Sequence, residues 1–142
     1  MVLADACFNI THSSFKQNFE DILNESKKLG VGHFFCPAAE KKDIDEVIKF
    51  SSIYKEISCG IGIHPHHANE VDAELLMKLE TLINQEDITA IGEIGLDYYR
   101  DFQQKITQQE SFEEQLKLAS DHKMPVFLHN REAFKDFYSI LK

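Results

Sequence analysis

The chain has 142 residues, of which 43% are hydrophobic and 27% charged. That balance excludes collagen-like, mucin-like and disordered classes and fits one globular domain, or part of a larger one. The net charge of −9 argues against a basic surface that grips nucleic acid by neutralising phosphates, although bound cations would supply positive charge locally.

Five strands alternate with five helices along the sequence. The apolar stretch Val2 to Phe8 predicts a first strand. Ser14-Phe15-Lys16-Gln17 has the form of a capping box, followed by Phe15, Phe19, Ile22, Leu23 and Leu29 at helical spacing. Gly30 suits a helix stop. Val31 to Cys36 predicts a second strand, and Ile44, Val47 and Ile48 mark one face of the next helix. Ile57 to Ile63 forms the third strand, and Leu75, Leu76, Leu79, Leu82 and Ile83 the following helix. Ile88 to Ile94 is the fourth strand. A second capping box, Thr107 to Glu110, opens a helix that buries Phe112, Leu116 and Ala119. Pro125 starts the fifth strand, running to His129. A last helix begins near Arg131, with Phe134, Phe137 and Leu141 inward.

Repeated βα units with short connections predict an α/β fold with a parallel sheet covered by helices. No glycine-rich nucleotide loop of the GxGxxG or GxxxxGK type occurs. No apolar run approaches the ~18 residues of a membrane span, and the N-terminus lacks the basic region of a leader. Cys7, Cys36 and Cys59 match no zinc template and adjoin apolar runs, so they are expected to be buried, reduced thiols of a cytoplasmic protein.

In parallel α/β folds ligands bind beyond the C-terminal ends of the strands. Those ends carry His64, His66 and His67, then Glu93 and Asp97, then His129. The two arginines, Arg100 and Arg131, also follow such ends, where a guanidinium suits phosphate or carboxylate recognition. Glu93 and His129 together make an incomplete nitrogen–oxygen metal site. The alternative is a Glu93 paired with Arg100 or Arg131 and a His129 that caps a carbonyl. His12, His33 and His122 read as surface or packed histidines.

Three blocks, Gly62-Ile63-His64-Pro65-His66, Ile91 through Tyr99, and Gln109 through Arg131, resemble in order and spacing the TatD family of metal-dependent DNases. The resemblance implies a TIM-barrel hydrolase that cleaves DNA phosphodiesters with two divalent metal ions, magnesium first, with zinc or manganese as alternatives. It implies that Glu93 holds or bridges the metals and is catalytic, that His129 is a ligand, and that His64, His66 and Arg131 lie on the substrate side. Glu93 suits a place between two cations because it offsets their mutual repulsion. Asp97 matches a motif aspartate that would support the ligands.

Two departures follow. Most of the family opens with Asp-x-His-x-His, whereas this chain has Asp5-Ala6-Cys7-Phe8-Asn9; the TatD branch proper also carries Asn there. One metal position is therefore expected to be weak or differently held, with Asn9 or His12 the available substitutes. A full barrel needs ~250 residues and eight strands. The expectation is thus a partial TIM barrel with about five of eight strands, residues 1–142 forming one incomplete domain. DNA is the expected substrate, no membrane partner is expected, and exposed strand edges would promote homo-oligomers or aggregation. Little turnover is expected from these residues alone. Competing readings are a metallohydrolase of another ester or amide, or a non-catalytic remnant.

Overall fold

The computed structural model describes residues 2–15 and 17–142. Five strands, β1 (Leu3–Asp5), β2 (Val31–Pro37), β3 (Ile57–Ile61), β4 (Ile88–Asp97) and β5 (Val126–Arg131), form one parallel sheet in the order β1-β2-β3-β4-β5. Helices α1 (Phe19–Lys28), α2 (Ile44–Ile53), α3 (Ala73–Gln85), α4 (Lys105–Asp121) and α5 (Phe134–Leu141) follow them in turn. A strand order that never reverses rolls the sheet in one direction, giving a curled half-barrel. The curl is visible in side-chain contacts. Phe35 on β2 and Phe127 on β5 meet with ring centroids 5.1 Å apart. Three inter-strand steps of ~4.8 Å would separate them in a flat sheet.

The opposite face of the sheet meets the helices. Phe34, Cys36, Ile57, Cys59, Ile61, Ile91, Ile94 and Leu96 are buried there in one cluster with Ile44, Val47, Leu75, Leu79 and Phe112. Burying such side chains contributes roughly 1.5–3 kcal/mol each. Among the described residues, no helix is long and apolar enough to cross a membrane.

Several boundaries differ from expectation. The strand at the N-terminus covers only Leu3–Asp5, and all three residues are exposed. The first capping box is not the start of α1: the N-cap is Asn18, and Lys16 of the box lies outside the described residues. Likewise α4 starts two residues before Thr107, from Gln104, without a side-chain cap. Both boxes match the residue types of a cap without occupying a helix end. The stop at Gly30 does occur, with φ +95° and its N–H bonded to the carbonyl of Lys27. In α5 Phe137 and Ile140 pack inward, Phe137 stacking on Phe112 at 5.2 Å; Phe134 and Leu141 are exposed. This helix lies beyond the sheet edge, with α4 and β5 on one side only.

The main surprise is α4, whose buried face is polar. Gln115 is fully buried, and its side-chain amide accepts from the N–H of Ile63 at 2.7 Å and donates to the carbonyl of the same residue at 3.2 Å. Gln108 treats Asp97 the same way, at 2.8 and 3.1 Å. Two glutamines thus satisfy the backbone just where β3 and β4 hand over to the functional loops.

Candidate metal centre

Strand alternation puts Glu93, Gly95 and Asp97 on one face of β4. In β5, His129 pairs with Gly95, so its imidazole stands between the two carboxylates. Gly95 is required there: at φ +146° a Cβ would run into the backbone carbonyl of His129. His129 Nδ1 lies 3.1 Å from Glu93 Oε1, and Nε2 lies 3.3 Å from Asp97 Oδ2. A carboxylate thus faces each ring nitrogen, an arrangement that favours the charged form of the imidazole. Its hydrogen bond to Glu93 raises the pKa above the usual imidazole range, against the opposing effect of burial and with help from the charges of Glu93 and Asp97.

Burial pushes the Glu93 carboxyl upward, but the His129 hydrogen bond and the neighbouring His64 and His129 outweigh it, so its pKa falls. Asp97, 1% exposed, behaves similarly. Burial raises its pKa, yet the N–H of Arg100 and the His66 bond hold it at about 2. Its Oδ1 accepts from the N–H groups of Tyr99 and Arg100 at 3.1 and 2.9 Å, and its Oδ2 from His66 Nε2 at 2.7 Å.

His64 closes the third side. Its Nε2 lies 3.9 Å from Glu93 Oε1, and one ligand atom each from His64, Glu93 and His129 lies within 4.8 Å of the others. Burial lowers its pKa to about 4, so the ring is neutral at pH 7. Its Nδ1 accepts the N–H of His66 at 3.2 Å, which leaves the single ring proton on Nε2, facing the cluster.

The remaining expected residues separate. Arg131 stands two residues after His129 on β5 and stacks on the Tyr99 ring at 3.9 Å. Among the described residues neither arginine forms an ion pair with Glu93, so the arginine-paired reading of that carboxylate fails. Asn9, His12, His64, His66 and Glu93 line one cleft of about 500 Å³. His12 bonds Ser14 Oγ at 2.7 Å and belongs to its own loop. Cys36 and Cys59 are buried free thiols, but Cys7 is exposed, contrary to expectation. It follows the end of β1 with its sulfur turned toward the donor cluster, 3.9 Å from Glu93 Oε2, rather than toward the helix layer. Desolvation, Glu93 and Asp5 raise its pKa to about 11.

Glu40, His67 and Glu70 form a second group. There Lys42 holds Glu40 at 2.6 Å, and the N–H of Lys41 holds Glu70 at 2.7 Å.

A parallel, helix-covered half-barrel that gathers imidazole and carboxylate donors at the C-terminal rim of its strands has the architecture of the barrel proteins that hold metal ions at that rim. The model of the TatD related DNase family matches residues 4–142, and the chain belongs to that family. It is 32% identical over 139 residues to a 3'-5' ssDNA/RNA exonuclease TatD of Pantoea ananatis, covering 97% of this chain and 54% of that protein. An uncharacterized metal-dependent hydrolase of Buchnera aphidicola is 34% identical over 133 residues, covering 94% and 50%. The crystal structure of a TatD homolog from Escherichia coli k12 superposes with TM-score 0.90 at 29% identity, covering 98% of this chain and 54% of the other. The chain spans about half the length of the curated relatives it matches.

Proposed function

We propose that this chain supplies the Glu93–His129 side of a two-cation phosphodiesterase centre acting on DNA. The observation that carries the reading is the line Glu93–His129–Asp97, with contacts of 3.1 and 3.3 Å. A ligating histidine commonly donates its other ring N–H to a carboxylate, which fixes its orientation. Here Nδ1 faces Glu93, and Asp97 holds Nε2 from behind. The donor set therefore fits a divalent cation taken up at Nδ1 and Oε1.

Divalent cations held there would polarise the phosphoryl oxygens, activate water and stabilise the leaving oxygen. Glu93 keeps its second oxygen on the Cys7 side, which suits a bridging role between two cations. His64, neutral with Nε2–H directed at the cluster, donates a hydrogen bond to a phosphoryl oxygen. His66, oriented by Asp97, and Arg131, oriented by Tyr99, bind the substrate strand. An imidazole donor suits manganese or zinc better than magnesium, which prefers an oxygen shell.

The test titrates each of the three ions into the chain by calorimetry and follows nucleotide release from end-labelled DNA. Binding that disappears in Glu93→Gln, with ion-dependent release, supports the reading; ion-independent behaviour overturns it. The reduced thiols fit a cytoplasmic setting. The exposed edges β1 and β5, with exposed Val126 beside Phe134 and Tyr138 on α5, favour self-association. Sedimentation across a concentration series checks this, and a monomer throughout contradicts it.

A further inference from the structure

We propose that Phe102, together with the Tyr99–Arg131 stack, is a base-stacking platform that holds the bases of a strand at the mouth; this rests on the nucleic-acid reading above. Rings lead outward from the candidate centre in an unbroken series. His129 and His64 have centroids 4.4 Å apart, His64 and His66 4.2 Å, and His66 and Phe102 4.8 Å. The last ring in the series is 62% exposed. Tyr99, on the same loop, is 55% exposed, and the Arg131 guanidinium lies 3.9 Å over its ring.

Large apolar side chains left in water beside a polar cluster need an explanation. These two follow Asp97 by two and five residues, and Asp97 anchors both His66 and His129. Their position is therefore fixed relative to the centre. The chain carries net charge −9, so phosphate attraction alone is a poor source of affinity. Stacking on aromatic rings, and on a guanidinium plane, supplies affinity that is independent of net charge. It also requires an exposed base face, which a duplex hides within its own stack.

The experiment follows fluorescence anisotropy of labelled strands at low salt in EDTA, so that cleavage cannot consume the probe. The probes are a thymidine strand about ten nucleotides long, an abasic strand with the same number of phosphates, and the thymidine strand annealed to its complement. The chain is expected to hold the thymidine strand about tenfold more tightly than either other probe. Phe102→Ala and Phe102→Leu erase that preference, Phe102→Tyr retains it, and Tyr99→Ala weakens it severalfold. Equal affinity for thymidine and abasic strands overturns the proposal, as does an unchanged preference in Phe102→Ala, or failure to bind the thymidine strand at all. Cation binding and ion-dependent cleavage are scored separately. Cation binding that needs Glu93 but comes without base preference refutes the platform alone, whereas base preference without any cation binding refutes the two-cation reading alone.

Discussion

The two ends of the rim are built differently. At the β4–β5 end, Glu93, Asp97 and His129 lock one another through short contacts, and Gln108 and Gln115 pin the strand ends from the helix layer. At the β1 end, three exposed residues lead to Cys7, whose contact with the centre is one 3.9 Å approach to Glu93. The first end places its groups by satisfied buried polar bonds; the second depends on a short edge strand. Precision at this centre comes from a connected network of polar bonds, in which Glu93, Asp97 and His129 each hold more than one partner, rather than from strand pairing as such.

Five changes would break or sharpen that contrast. The largest effect is expected for Gln115→Leu, which strands the N–H and carbonyl of Ile63 in the core. It should cost about 2–4 kcal/mol in urea unfolding, and an unchanged midpoint would show that water replaces the glutamine. Next, Glu93→Gln should weaken cation binding about 100-fold, equivalent to ~2.7 kcal/mol, as read by calorimetry. Cys7→Ser on the loosely built end should change it less than about threefold.

Third, Asp97→Asn should lose on the order of 1–2 kcal/mol of stability at pH 7, after allowance for solvent screening. Its folded pKa is depressed to about 2 from an ordinary 3.8. The stabilisation is therefore complete above the unfolded value and disappears as pH falls from about 4 towards 2. Wild type and Asp97→Asn should converge over that interval, and parallel curves would exclude the linkage. The smallest effect belongs to β1: Leu3→Lys, at an exposed edge position, should shift the midpoint by less than about 0.5 kcal/mol.

The order of elements was readable because apolar periodicity changes between strand and helix at each junction, and Gly30 marks one end sharply. Glu93, His129, His64, His66 and Arg131 were found because the C-terminal ends of parallel strands are where ligands gather. The face of α4 was not readable. Gln108, Ser111 and Gln115 look like a solvated surface until β3 and β4 are seen to present bare backbone to them. For Asp97 the motif implied a supporting role, but which groups it holds was not readable, since His66, His129 and Gln108 come from separate segments. Cys7 was misjudged because neighbouring apolar residues imply burial only for a side chain turned toward the helix layer. The exposure of Phe134 similarly depends on which side of α5 has a neighbour.

The phenyl groups of Phe35 and Phe127 stand between strands that are not adjacent. They act as a spacer, and the bulk of two benzene rings sets how tightly the sheet can roll. A smaller pair such as leucines would leave that space unfilled and let β2 and β5 draw together, so the spacing of the strand ends is set by two side chains that take no part in the donor cluster.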